Sequence, residues 1–315
     1  MVEPILSGTD EPRARRPVLG YAMVLAATAL WGINGSMAKG ALSSGLTSLR
    51  LTEVRSTGAA LILVFALALT RPNSLRISRK ELPFLLLFGV VGLAFVQLFY
   101  FAAIHRLDIG VALLIQYVAP VLIALYARLV LKERVRRRVW AALILALGGL
   151  SLVVDIWSGV ALDGVGVAAA LASAVTFSLY ILLAEEAVTR RDPVSLLALG
   201  FTCAAIFWAI VQPWWSFPAE VLDDSIQMEG ALISSTLPVW ALLLGVVLVG
   251  TIVPFLLLVG ALRHIPATRA GVTAMFEPVA GALVAYAWLG EELSSVQLIG
   301  GAIVLAGILL AQSAR

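Results

Sequence analysis

Apolar residues in this chain run in unbroken blocks and do not alternate with polar ones. Ten blocks are bounded by charge, proline or glycine: Val18–Ala38, Ser48–Thr70, Pro83–Ile104, Ile109–Leu131, Val139–Val154, Gly164–Ala184, Val194–Gln212, Leu237–Leu262, Ala267–Leu289 and Val296–Gln312. About 20 apolar residues in a helix cross a hydrocarbon core about 30 Å thick. The pattern therefore predicts an all-α integral membrane protein of ten transmembrane helices, the fifth of them short. The ends carry helix-start chemistry. Asp108, Asp163, Asp192 and Ser294 can accept hydrogen bonds from free first-turn amides, and Pro83 and Pro193 suit a first turn that needs no donor.

Composition agrees: 61% of the 315 residues are apolar and 13% are charged, against about 45–50% and about 25% in a soluble domain. Ten spans take up about 200 residues, which leaves no room for a soluble catalytic domain. The net charge of +3 is spread over short loops, so no continuous nucleic-acid groove is expected. One cysteine, Cys203, and two histidines, His105 and His264, provide neither a disulfide nor a metal cluster, and no cofactor is expected. Arg13, Arg15 and Arg16 ahead of the first block imitate a signal peptide, but the block exceeds the 7–15 residues of a signal core, so it is read as a retained span.

The placement of charge orients the spans. Arg13, Arg15, Arg16, Arg71, Arg76, Arg79, Lys80, Lys132, Arg134, Arg136, Arg137, Arg138, Arg190, Arg191, Arg263, Arg269 and Arg315 fall on one side, which makes 17 basic residues against the 3 opposite, Lys39, Arg50 and Arg106. Basic loops stay in the cytoplasm, so both termini are expected there, and the acidic loop Trp214–Thr236 faces outward.

The chain also repeats itself. At an offset of 158, Gly92 falls on Gly250, Ala112 on Ala270, Pro120 on Pro278, Leu131 on Leu289, Glu133 on Glu291 and Gly149 on Gly307; for the opening segments the offset is 146, with Gly20 on Gly166, Trp31 on Phe177 and Asn34 on Tyr180. This divides the chain into a cytoplasmic tail, residues 1–17, a first five-helix repeat, residues 18–155, and a second, residues 164–312. Five crossings per copy place the second copy upside down relative to the first, the arrangement of secondary transporters that hold substrate near the bilayer midplane between the repeats.

Five stretches taken in order, Trp31-Gly32-Ile33-Asn34 followed by Lys39, Arg55, Tyr117-Val118-Ala119-Pro120, Leu131-Lys132-Glu133-Arg134, and Phe276-Glu277-Pro278 leading to Leu289-Gly290-Glu291-Glu292-Leu293, resemble the paired signatures of the EamA branch of the drug/metabolite transporter superfamily. The resemblance covers Val18 to Gln312. It implies a ten-helix inverted-repeat exporter in a prokaryotic inner membrane, often for amino acids or related metabolites. Two departures stand out: Phe201 occupies the position where Arg55 would repeat, and Phe177-Ser178 replaces Trp-Gly.

Polar side chains within lipid-spanning segments are costly unless they face protein or a cavity, so they are the candidate site. Ser173, Thr176, Phe177 and Tyr180 share one helical stripe. Gln97, Tyr100 and Phe101 share another, as do Trp31 with Asn34 and Thr273 with Glu277, while Gln116 and Tyr117 sit side by side. Together they would line a cavity for a zwitterionic or partly apolar small molecule. Each hydroxyl or amide alone also reads as an interhelical hydrogen bond. Glu277 lies close to the bilayer centre and Arg55 at similar depth, so the two are expected to pair or to act as a substrate or proton-coupling site. Glu133 and Glu291 are expected to accept amides at the next helix start. Pro254 and Pro278 free backbone carbonyls within their helices. Small residues, Gly148, Gly149, Gly300, Gly301 and Gly307 among them, suit close helix packing, and a homodimer stays open.

A P-loop is absent from the sequence, so the expected activity is secondary export of small organic metabolites, amino acids foremost. Two readings of other classes stand beside it, an intramembrane enzyme acting on lipid or isoprenoid substrates and a non-transporting scaffold. Import is a third option, because topology alone does not give direction.

Overall fold

A computed structural model describes residues 16–107, 109–154, 163–227, 236–284, 286–287 and 294–313. Most of these are helical. The helices are α1 Pro17–Ser43, α2 Ser48–Thr70, α3 Leu82–Ile104, α4 Gly110–Leu129, α5 Arg137–Val153, α6 Gly164–Ala187, α7 Pro193–Val211, α8 Val239–Ala261, α9 Ala267–Ala274, α10 Glu277–Val284 and α11 Ser295–Gln312. Among the described residues eight of them, α1 to α4, α6 to α8 and α11, are long and apolar enough to cross a membrane. The expected ten are thus not all met. α5 has only 17 residues, about 25 Å of rise, and the ninth block is divided into two 8-residue helices, α9 and α10. Ile210 and Ile144 are 75% and 73% exposed, as expected of side chains that face lipid. The chain is a multi-pass membrane protein.

Helix starts follow local chemistry. Asp163 accepts from the Gly166 amide at 2.7 Å and Asp192 from the Ser195 amide at 3.2 Å. Ser294 and Gln297 form a reciprocal capping box. Asp108 and Glu291 lie outside the described residues. Glu133 corrects the expectation placed on it, because its side chain is exposed and α5 begins without a side-chain cap.

Two departures from the α-helix recur along the chain. π-type turns occupy Leu87–Phe95 within α3 and Leu248–Ile252 within α8, around Gly92 and Gly250. α4 breaks at Tyr117-Val118 ahead of Pro120, and a similar break at Met275-Phe276, ahead of Pro278, separates α9 from α10. Proline has no N–H to give the fourth carbonyl back, which removes one of the bonds that would carry each helix through the break.

Packing pairs α5 with α11 and α2 with α7 along their lengths, sets α1 against α8, α9 and α10, and sets α6 against α3 and α4. Gly20 meets His264 and Ile265, while Gly166 meets Arg106 and Leu107. The α5–α11 crossing is the tightest. A Cβ on Gly300 would lie 2.6 Å from the Gly149 carbonyl oxygen, and one on Gly307 2.9 Å from that of Ala142, so these glycines serve packing within the chain, whereas Gly148 has open space beside it.

The loop between α7 and α8, expected to be acidic and to face outward, holds two 3-10 turns and an antiparallel pair of β1 (Ser225–Gln227) with β2 (Thr236–Pro238). One guanidinium clamps each end of the α2–α7 pair. At the α2 start, Arg50 meets Glu53 at 2.6 Å and donates to the Gln212 carbonyl and the Ser216 hydroxyl. At the other end, Arg191 grips both oxygens of Glu81 at 2.7 Å and donates to the carbonyls of Ser74 and Arg76.

The Arg191 guanidinium holds the Glu81 carboxyl below its ordinary value of 4.5, against a smaller desolvation effect. A depressed folded-state pKa stabilises the fold above the unfolded value, and that stability is lost as pH falls through the depressed one. Thermal stability of the wild type should therefore decline as pH drops below about 4.5, and Glu81→Gln should flatten that decline while lowering stability at pH 7. An equal acid response in both proteins would show that the clamp carries no proton linkage.

Candidate functional site

α2 carries Arg55 at its eighth position, roughly 10 Å in from the helix start. The side chain is buried and reaches the π-turn of α8. Its Nε donates to Thr251 Oγ1 at 2.9 Å and its Nη2 to the Gly250 carbonyl at 3.0 Å. That carbonyl cannot take the ordinary α-helical bond, because the residue four positions on is Pro254. Asn34 of α1 packs its amide against Gly250, where a Cβ would overlap Asn34 Oδ1.

Glu277 opens α10 just past the α9–α10 break, and it accepts a 2.6 Å hydrogen bond from the Tyr117 hydroxyl at the break in α4. One short bond thus joins the two interrupted helices. The expected pairing of Glu277 with Arg55 needs correction. Among the described residues Arg55 is bonded to Thr251 and Gly250 and to no carboxylate, although it, Glu277 and Tyr100 sense one another's charge. The opposite charges are held apart by neutral partners on either side. A guanidinium has five N–H donors, and two of them are used.

Aromatic rings wall the site. Tyr117 meets Phe177 at 6.4 Å, Phe177 stacks on Tyr180 at 6.1 Å, Tyr180 meets Phe255 at 5.5 Å, and Phe255 packs edge-on against Trp31 and Phe201 at 5.4 Å each. Tyr100 tilts against Phe101 at 5.6 Å. The structure therefore brings together Trp31, Asn34, Arg55, Tyr100, Tyr117, Phe177, Tyr180 and Glu277.

The remaining expected residues are placed differently. The hydroxyls of Ser173, Thr176 and Thr273 donate to the backbone carbonyls of Val96, Ala172 and Arg269, and so satisfy themselves within the protein. Gln116 is half-buried on the turn before the α4 break. Gln97 is buried with neither amide atom bonded, as are Asn34 Oδ1 and the Tyr180 hydroxyl. A buried polar atom without a partner costs about 1–3 kcal/mol, and at a substrate site that cost is relieved by the ligand or its water.

Reading by residue type missed Thr251 and Gly250, although a Gly-Thr pair followed by Pro254 was a usable signal. It also missed Glu53, a fully buried carboxylate paired with Arg50. Among the described residues no group of three His, Cys, Asp or Glu side chains could hold a metal ion.

The sequence pattern of the EamA-like transporter family matches residues 18–155 and again residues 164–312. An uncharacterized transporter of Archaeoglobus fulgidus is 31% identical over 214 residues, which are 67% of this chain and 70% of that one. The threonine/homoserine exporter RhtA of Escherichia coli K12 is 27% identical over 267 residues, 84% of this chain and 80% of its own. A solved crystal structure shares the fold with a TM-score of 0.74 at 20% identity, covering 93% of this chain and 96% of that one.

Proposed function

The chain belongs to the EamA-like transporter family, and from that premise we propose that it is a secondary exporter of amino acids or closely related metabolites, working by alternating access between two inverted five-helix repeats. The observation that carries the substrate class is the separation of Arg55 from Glu277. Among the described residues a buried guanidinium bonded to neutral groups and a carboxylate held by a tyrosine hydroxyl form a pair of opposite charges not bonded to each other. An α-amino acid matches that pair in charge, its carboxylate on Arg55 and its ammonium on Glu277, because charge-assisted hydrogen bonds are the strong ones. The relative named as a threonine/homoserine exporter supports the same class.

Paired contacts support the inverted repeat. Gly20 on Ile265 and Gly166 on Leu107 are one contact seen twice, since the two repeat offsets carry Gly20 onto Gly166 and Leu107 onto Ile265. The Gly149–Gly300 and Gly307–Ala142 approaches stand in the same relation, as do the two π-turns and the two helix breaks. Residues 18–155 and 164–312 serve as the two repeats, ten crossings in an inner membrane with both termini cytoplasmic.

Labelling tests the orientation. In a Cys203→Ser background, cysteine at Ser225 should react with an impermeant maleimide from outside intact cells and cysteine at Ser78 should not; the reverse would overturn orientation and mechanism together. Efflux tests the substrate. Cells preloaded with labelled amino acids should release at least one neutral amino acid faster when the chain is expressed, and equal release across the panel would overturn the class.

A further inference from the structure

We propose that Thr251, together with Gly250 and Pro254, forms a seat that positions the Arg55 guanidinium for substrate. The inference rests on the transport reading and names what holds its cation in place. Pro254 has no N–H to offer the Gly250 carbonyl in α-helical geometry, and Arg55 Nη2 takes that carbonyl at 3.0 Å. The π-turn lets the Thr251 hydroxyl donate five residues back, to the Val246 carbonyl at 2.9 Å, and so turns its oxygen lone pairs toward Arg55 Nε at 2.9 Å. Both bonds fall on one edge of the guanidinium, and among the described residues the other edge has no hydrogen-bond partner. A free arginine side chain carries about 2 kcal/mol of rotamer entropy. Fixing it before substrate arrives removes that cost from binding.

The comparison within the chain sharpens the argument. The π-turn of α3 has Gly92, Leu93 and Val96 at the positions of Gly250, Thr251 and Pro254, and the position matching Arg55 is Phe201. The copy without the cation thus has neither the hydroxyl nor the proline. The glycine, present in both copies, has a separate task, for each π-turn is approached at that point by α1 or α6: Asn34 meets Gly250 and Tyr180 meets Gly92.

The test uses purified protein in proteoliposomes with L-threonine as the probe. Thr251→Val, close in shape but unable to accept from Nε, should raise the apparent KM about tenfold, as expected for losing one hydrogen bond to a charged group, with Vmax within about twofold. Thr251→Ser should restore the wild-type KM. Pro254→Ala returns an N–H that competes for the Gly250 carbonyl and should also raise KM. An unchanged KM for Thr251→Val, or the same rise for valine and serine, would overturn the seat. A second readout needs no substrate: Thr251→Val, which also loses the bond to the Val246 carbonyl, should lower the melting temperature more in the wild-type background than in Arg55→Leu. Equal lowering in both backgrounds would overturn the seat, whereas failure of the wild type to carry L-threonine would count against the proposed substrate alone and leave the melting comparison to decide.

Discussion

Arg55→Leu should abolish substrate exchange, lowering it by about a hundredfold or more, while the protein still inserts and folds. The leucine keeps the side chain apolar and removes the only cation among the described residues that faces both Glu277 and Tyr100 in electrostatic range. A carboxylate bound through two charge-assisted bonds at about 1.5–3 kcal/mol each loses both, and the lost energy converts to that factor at 1.4 kcal/mol per decade. Arg55→Lys should recover little, because an ammonium cannot bond Thr251, Gly250 and a substrate carboxylate with one planar fork. Exchange measured per folded molecule decides the matter. A leucine variant that exchanges at the wild-type rate would remove Arg55 from the site and leave the separated charges as architecture.

Gly300→Ala should be among the most damaging single-methyl changes in the protein. Its Cβ would lie 2.6 Å from the Gly149 carbonyl oxygen and 2.8 Å from the Val153 amide nitrogen, and backbone atoms cannot rotate away as a side chain can. Overpacking costs about 1–3 kcal/mol, so the melting temperature should fall by several degrees, at about 2–4 °C per kcal/mol. Gly301→Ala next to it is the control, for that Cβ meets nothing nearer than Val279 Cγ1 at 3.6 Å and gains helix propensity. Equal melting temperatures for the two variants would show that the α5–α11 crossing is not the tight joint described.

The spans were legible because lipid admits only structures that satisfy their own backbone. α2, for instance, begins and ends at the residues where the apolar block does, Ser48 and Thr70. Caps were legible for the same local reason, as Asp163, Asp192 and Ser294 show. The repeat was visible because the residues at 92 and 250, or 149 and 307, are glycines that small-residue packing demands in both copies. Less could be read where the backbone leaves the α-helix. The Pro120 and Pro278 signals were present, but whether proline bends a helix or divides it depends on neighbours that supply partners for the freed carbonyls. The π-turns left no local mark, since they follow from packing. The relation of Arg55 to Glu277 was half legible: the two are near enough for each to feel the other's charge, but the Thr251 and Tyr117 bonds that each makes instead join helices far separated in sequence. Glu53 escaped notice because its partner, Arg50, read as an ordinary loop charge.

Counterflow with the purified protein tests the central claim most directly. Proteoliposomes loaded with excess unlabelled L-threonine or another neutral amino acid, without ATP, should transiently accumulate the labelled compound from outside and then release it as the gradient collapses, the signature of one site offered to each face in turn. Folded wild-type protein that produces no such overshoot for any amino acid in the panel would contradict the account.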